Sequence, residues 1–183
     1  LFAKQGVAAT TVREIAEAVG ILSGSLYHHF ASKDDIVDAI VVGFMDDLVS
    51  RYDAVLAGTA DPAERLRGLV EASITTSTEH PHAPEIYQND ARYLQAADGL
   101  TVVRDSARAV RQAWIQVLEE GAAAGVVRTD VPGKVIYPLL RDGLWLTARW
   151  LVPSRSHAPA KLAAAGARVC RAARAGSEGA RRG

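Results

Sequence analysis

Apolar residues recur along this chain at intervals of three and four, and no segment keeps the two-residue alternation of a half-buried strand. The longest stripe is Ile36, Val37, Ile40, Phe44, Leu48, Tyr52 and Val55, which predicts a helix from Lys33 to about Ala57. Ser32 and Asp35 form a capping-box pair that opens it. Gly58-Thr-Ala60 breaks the pattern. Asp61-Pro62-Ala-Glu64 restarts it with a cap, an N1 proline and an acidic first turn, followed by Leu66, Leu69, Val70 and Ile74. His80-Pro-His-Ala-Pro84 interrupts, and a helix from about Glu85 to Gln95 follows, ended by Asp98-Gly99. Leu100 to about Ala124 forms another long helix, with Val103, Ala107, Val110, Trp114, Val117 and Leu118 on its inner face. Beyond a turn at Gly125–Asp130, Asp130 caps a helix from about Pro132 to Leu151 that Pro153 stops, and a final helix runs over about 159–175. The predicted fold class is all-α, without internal repeats. The Gly/Arg-rich residues 176–183 read as a frayed tail.

The stretch Thr10 to Lys33 is the most informative. Thr11 N-caps a first short helix and Glu14 completes a capping box. Ile15, Ala16 and Val19 share its inner face, and Gly20 supplies the positive φ that ends it. Ser23 caps a second helix that runs to about Phe30, with Leu26 and Phe30 inward. That leaves Ser23, Gly24, Ser25, Tyr27, His28 and His29 on the more exposed faces. Two short helices across a tight turn are a helix-turn-helix, whose second helix enters the DNA major groove. Thr11, at a helix N-terminus, offers a hydroxyl and N–H groups to a phosphate, and Lys33 offers a charge to the backbone. Arg13 and Tyr27 reach toward base edges, while Ser25 and His29 fit phosphate or sugar. A plain amphipathic helix pair with a half-buried Tyr27 is the bland alternative.

The string Thr-Thr-Val-Arg-Glu-Ile-Ala, the Gly after it and Gly-Ser-Leu-Tyr-His-His-Phe-x-Ser-Lys resemble the DNA-binding domain of TetR-type repressors, almost residue for residue. The resemblance implies a reading head at 1–44, a ligand-binding and dimerisation body at 45–175, and a tail at 176–183. It also implies a homodimer on a double-stranded DNA operator, released by a small-molecule inducer. Leu1-Phe-Ala-Lys-Gln-Gly6 reads as the last turns of a first helix that would begin ahead of Leu1.

Charge adds little. Lys and Arg together number 21, as do Asp and Glu, so no basic footprint announces a nucleic-acid partner and any such footprint must be local. Residues 1–33 themselves hold only Lys4, Arg13 and Lys33 against Glu14 and Glu17. The lone Cys170 excludes an intramolecular disulfide and a cysteine metal cage. No apolar run is long enough to span a membrane and no signal peptide is evident, so a cytoplasmic protein is expected. An enzyme is not expected: there is no Ser/His/Asp or Cys/His set and no catalytic residue stands out, and the one enzymatic alternative, a coenzyme A-thioester-using enzyme built on Arg141, Trp145 and Arg149, has no evident general base beside it. His28 and His29 diverge by about 100° on a helix and cannot share a metal. His80 and His82 sit between prolines with few acidic ligands near, so no metal and no cofactor are expected.

In the body, Arg141, Trp145 and Arg149 fall at i, i+4 and i+8 on one face of an apolar helix. Two guanidiniums flanking an indole are costly to bury without an anionic, planar partner. A nucleotide-bearing ligand suits them; a network with Asp142, Asp105 or Asp90 suits them equally on chemistry alone. Gly43-Phe-Met-Asp-Asp-Leu-Val-Ser-Arg-Tyr52, Ile86-Tyr-Gln88 and Arg-x3-Trp-x3-Arg also resemble the TetR branch that governs steroid-ring degradation in cholesterol-degrading bacteria. That branch answers to a coenzyme A thioester of a steroid remnant. The resemblance implies that Arg141, Trp145 and Arg149 hold the coenzyme A portion, and Tyr87, Gln88, Arg92 and Trp114 join them as ligand candidates. Dimerisation would use residues of about 135–151 and 159–173, where alanines and Gly166 allow close helix approach. An activator, or a regulator answering to an unrelated hydrophobic compound, would carry the same helices.

Overall fold

The computed structural model describes residues 1–90 and 101–151, apart from the side chains of 101 and 146–151. The described residues form helices α1 (Phe2–Gln5), α2 (Val12–Val19), α3 (Ser23–Tyr27), α4 (Lys33–Gly58), α5 (Pro62–Glu79), α6 (Ala83–Asn89), α7 (Thr101–Ala123) and α8 (Gly133–Leu151), with no strand among them. The fold is all-α. Contacts gather these helices into two units: of the described residues, 1–47, 80–90 and 101–107 build one, and 48–79 and 108–151 the other. The helix expected over 159–175, with Cys170 and the small-residue face, lies outside the described residues, as does the tail.

In the first unit, α1 packs against α6. Gly6 ends α1 at φ 82, and its N–H returns to the Phe2 carbonyl. Buried Thr10 donates to the Gly6 carbonyl at 2.7 Å, and the Val7 N–H reaches the Asp90 carboxylate at 3.2 Å. Ser32 and Asp35 cap α4 reciprocally, as their spacing predicts. The first half of α4 buries Ile36, Val37, Val41, Phe44 and Met45. Phe44 meets the His80 ring edge-on, and His80 Nε2 lies 3.5 Å from the Asp47 carboxylate.

In the second unit α5 packs against α8. Asp61 caps α5 through the Ala63 N–H. Gly68 lets α5 approach the end of α4 closely, since a Cβ there would stand 2.7 Å from Val55 Cγ1. Arg65 ties the same corner, donating to the carbonyls of Leu56 and Thr59 and to Glu120 at 2.7–2.9 Å. The core holds Leu48, Tyr52, Leu66, Leu69, Val70, Trp114, Val117 and Leu118.

Two boundaries differ from the sequence expectation. The sixth helix begins at Ala83 and closes at Asp90, so His80–Pro84 interrupts for fewer residues than its two prolines suggested. Pro84 sits within the first turn, where its missing N–H has no intrahelical partner to lose. Asp130 does not cap α8: its carboxylate takes the Arg128 guanidinium at 2.5–2.7 Å, and the helix opens on the Pro132 carbonyl.

Candidate functional site

The reading head is built by local rules. Thr11 takes extended φ/ψ of −105° and 153° and its side chain accepts the Glu14 N–H, while Glu14 accepts the Thr11 N–H at 2.7 Å. That N–H, with the Thr11 hydroxyl, holds the Glu14 carboxyl below its ordinary value. Gly20 sits in the left-handed region at φ 75, and the Ile21 N–H returns to Ala16 at 3.0 Å, turning the chain sharply into α3. The second helix packs against α2 through buried Leu26 and Ala16.

Three details of this head differ from expectation. Ser23 is not the cap: Leu22 holds the extended cap conformation, φ −75° and ψ 143°, without a side-chain hydrogen bond, and Ser23 is already helical. The helix itself ends at Tyr27, although the His29 and Phe30 N–H groups still reach Leu26, so Phe30 ends half-buried. Val19 is 63% exposed, because α2 buries a stripe centred on Ala16 and its last turn lies beyond the packing surface.

Gly24, Ser25, Tyr27, His28 and His29 are exposed together and Ser23 is half-buried beside them. Thr11 and Arg13 are exposed on α2, where Arg13 pairs with Glu17 at 2.8 Å. Lys33 does something the sequence did not reveal: its Nζ donates to the carbonyls of Val7 at 2.7 Å and Thr10 at 3.1 Å. It ties the loop that feeds α2 to the start of α4. Sequence reasoning also passed over Leu22, 79% exposed at the N-terminus of α3 beside Ile21. The signal was a leucine where a capping side chain belongs.

The second unit carries an aromatic ladder. Tyr52 and Trp114 meet at 6.3 Å and Trp114 and Tyr137 at 6.4 Å. The Arg141 guanidinium then lies 5.7 Å from the ring centroids of both Tyr137 and Trp145. Trp114 is core: it is 1% exposed and its Nε1 donates to Tyr52 at 2.8 Å, so its polar group is satisfied within the protein. Arg141 donates to Asp142 at 2.8 Å, which is one of the intrachain pairings open to it, and its side chain stays one-third exposed. Tyr87 is half-buried and Gln88 exposed on α6, in the first unit. Arg92 and the Arg149 side chain lie outside the described residues. Among the described residues no cluster of three or more His, Cys, Asp or Glu could hold a metal, and no helix is long and apolar enough to cross a membrane.

A head of this geometry on a helical body is the architecture of a DNA-binding regulator, and comparison with known proteins gives the family. Residues 1–40 match the profile of bacterial regulatory proteins of the tetR family, and residues 59–173 match that of the tetracyclin repressor-like C-terminal domain. The chain is 44% identical to the transcriptional repressor KstR2 of Mycobacterium tuberculosis (strain ATCC 25618 / H37Rv) over 84% of its own length and 76% of that protein. It is 41% identical to KstR2 of Rhodococcus jostii (strain RHA1), over 85% of this chain and 76% of that one. The solved structure of the ketosteroid transcriptional regulator KstR2 of Mycobacterium tuberculosis superposes with a TM-score of 0.83 at 37% identity, covering 94% of this chain and 88% of the other. The chain therefore belongs to the TetR family of transcriptional regulators, and these relatives are regulators, not enzymes.

Proposed function

We propose that this protein represses transcription by binding a two-fold operator as a homodimer, and that a coenzyme A thioester derived from a steroid releases it. The observation that carries the DNA half is the exposed recognition face, Ser25 and Tyr27 on a helix whose other side is anchored by Leu26, with exposed His29 in the turn just after it. Tyr27 and Arg13 would reach base edges, and Thr11, Ser25 and His29 the phosphate and sugar. Two such helices must stand about 34–36 Å apart to meet successive major grooves. Val135 and Leu139, i and i+4 on α8, are 46% and 71% exposed, an apolar stripe suited to a second copy of the chain.

The ligand half rests on Arg141. A guanidinium between two aromatic rings, with its side chain one-third exposed, can exchange Asp142 for a phosphate; Trp145, only 6% exposed, backs the guanidinium from inside the core. The 44%-identical relative is a KstR2 repressor, and the superposing structure is that of a ketosteroid regulator, which supports a steroid-derived acyl group. A ligand that binds the non-operator spacing of the heads more tightly shifts the population off DNA; a hundredfold preference is worth about 2.7 kcal/mol. No resident cofactor enters this scheme, which would operate in the cytoplasm.

The test follows fluorescence anisotropy of the protein on a labelled fragment from upstream of its own gene, titrated with a steroid-derived acyl-CoA, the free acid and coenzyme A. Release by the thioester alone is expected. Arg141→Ala should keep operator binding and lose that release, whereas Tyr27→Ala should weaken the operator and keep ligand binding. Operator binding that none of the three compounds reverses would sink the thioester reading and leave the regulator.

A further inference from the structure

The chain passes from α2 into α3 over a run of exposed apolar residues: Val19, Ile21 and Leu22 are 63%, 43% and 79% exposed. One such residue on a surface is ordinary, but three within four positions mark a contact surface. Leu22 gives the fold nothing that a smaller residue would not. It holds the extended cap position of α3, its side chain makes no cap hydrogen bond, and only its carbonyl takes part, accepting from Ser25 at 2.9 Å and Leu26 at 3.4 Å. A serine, threonine, asparagine or aspartate there would cap the helix. The rest of the reading segment sharpens the question. Residues 22–30 contain no arginine, lysine, asparagine, glutamine, aspartate or glutamate, so the bidentate pairs that recognise guanine and adenine are missing from it. Arg13, on α2, is engaged by Glu17. What α3 and the turn after it can offer a major groove is hydroxyls, imidazoles, a phenol and a leucine. Hydroxyls bond to donors and acceptors alike. An apolar side chain has one feature in that groove to meet, the C5-methyl of thymine.

We propose that Leu22 is a specificity-determining residue, whose side chain seats on the C5-methyl of one thymine in each half-site of the operator. This rests on the operator reading above and adds to it one base and the residue that reads it. Leu22 stands one turn ahead of Ser25, i to i+3, and so borders the exposed recognition face. Recognition helices bring their first residues to the base edges, which is where this leucine sits. Thymine is selected in two ways. Its methyl and the leucine leave water together, which favours the contact. Cytosine or adenine in the same place presents an amino group, and a leucine covering it leaves that donor without a partner. A local rule of helix capping is thus set aside at the position where an apolar side chain serves recognition.

The experiment measures binding of the full chain to the operator fragment at one salt concentration, with the thymines of the two half-sites replaced, one symmetric pair at a time, by deoxyuridine. Deoxyuridine keeps every hydrogen-bonding group of thymine and lacks the methyl. One buried methyl is worth about fourfold in affinity, so at one pair the wild-type protein should lose about tenfold or more. Leu22→Ala should bind the thymine operator more weakly and lose nothing further from deoxyuridine at that pair. It should melt with the wild type, because neither side chain caps α3 and this one is exposed. Tyr27→Ala should weaken binding to both operators and keep the difference between them, which separates a lost methyl contact from a generally weakened head. The proposal is overturned if no deoxyuridine pair affects the wild-type protein, or if the sensitive pair costs Leu22→Ala as much as the wild type. It is equally overturned if the sensitivity disappears in Tyr27→Ala and persists in Leu22→Ala. Tight binding that ignores deoxyuridine would leave the operator reading intact and remove only this one; no binding to the fragment would remove both.

Discussion

Trp114 Nε1 donates to the Tyr52 hydroxyl at 2.8 Å, joining α7 to the second half of α4 inside the core of the second unit. The bond is one link of a directed chain. Ser73 gives its proton to the Leu69 carbonyl, so Tyr52 donates to Ser73 at 2.6 Å while accepting from Trp114. Three buried side chains from three helices are satisfied by one another and by a single carbonyl. Burial pushes the Tyr52 phenol well above its ordinary value of 10.0. A phenol raised in this way adds stability that is whole below pH 10 and is lost as the pH rises from there toward the folded value.

Tyr52→Phe tests the chain directly. It removes the central hydroxyl and leaves the Trp114 N–H buried without an acceptor, which costs about 1–3 kcal/mol. Urea unfolding should show that loss with an unchanged m-value. A variant as stable as the wild type would mean that the chain contributes packing only.

Leu22 invites the opposite kind of change. It holds the cap conformation of a five-residue helix and supplies no side-chain acceptor. Leu22→Ser should stabilise the head by about 0.5–2 kcal/mol, the usual worth of a cap. It also takes a large apolar side chain off the exposed N-terminus of α3. Unfolding midpoint and operator affinity, measured together, should move in opposite directions if Leu22 touches thymine methyls.

The same residue shows where sequence reasoning stops. The capping boxes at Thr11–Glu14 and Ser32–Asp35 were legible because each is closed over three residues and needs no other part of the chain. The place of α3 was legible too, from Gly20 and Leu26, but not which residue caps it. A cap is chosen by backbone conformation, and Leu22 takes the extended form ahead of the serine that looked the better candidate. Trp114 was legible as an inward residue; that its N–H is spent on Tyr52, 62 positions away, was not. Asp90 was noted only as a partner for arginine, yet it accepts the Val7 N–H across 83 positions. Nothing in local periodicity encodes a pairing of that span.

Leu139, 71% exposed on α8 one turn beyond half-exposed Val135, is the residue most suited to an interface with a second copy. Leu139→Arg should place an unpaired charge in that interface and halve the mass seen by light scattering. In the proposed dimer two heads bind together, so operator affinity should fall by more than tenfold while the helical signal of the chain persists. Dimers that survive the substitution would move the interface off this face.

Lys33 separates a structural role from a phosphate contact. Its ammonium donates to the carbonyls of Val7 and Thr10, so two of its three N–H groups face the loop that leads into Thr11 and α2. Lys33→Met keeps the aliphatic stem and removes both donors. The loop should loosen, the capping box at Thr11 should lose its fixed position, and operator affinity should fall. What distinguishes the roles is salt. A lysine that neutralises a phosphate releases counterions, and its loss lowers the slope of log affinity against log salt by about 1. A lysine that only holds the loop leaves the slope where it was. We expect the parallel lines of the second case, with lower affinity at every salt concentration; a shallower slope would put Lys33 on the DNA backbone as well.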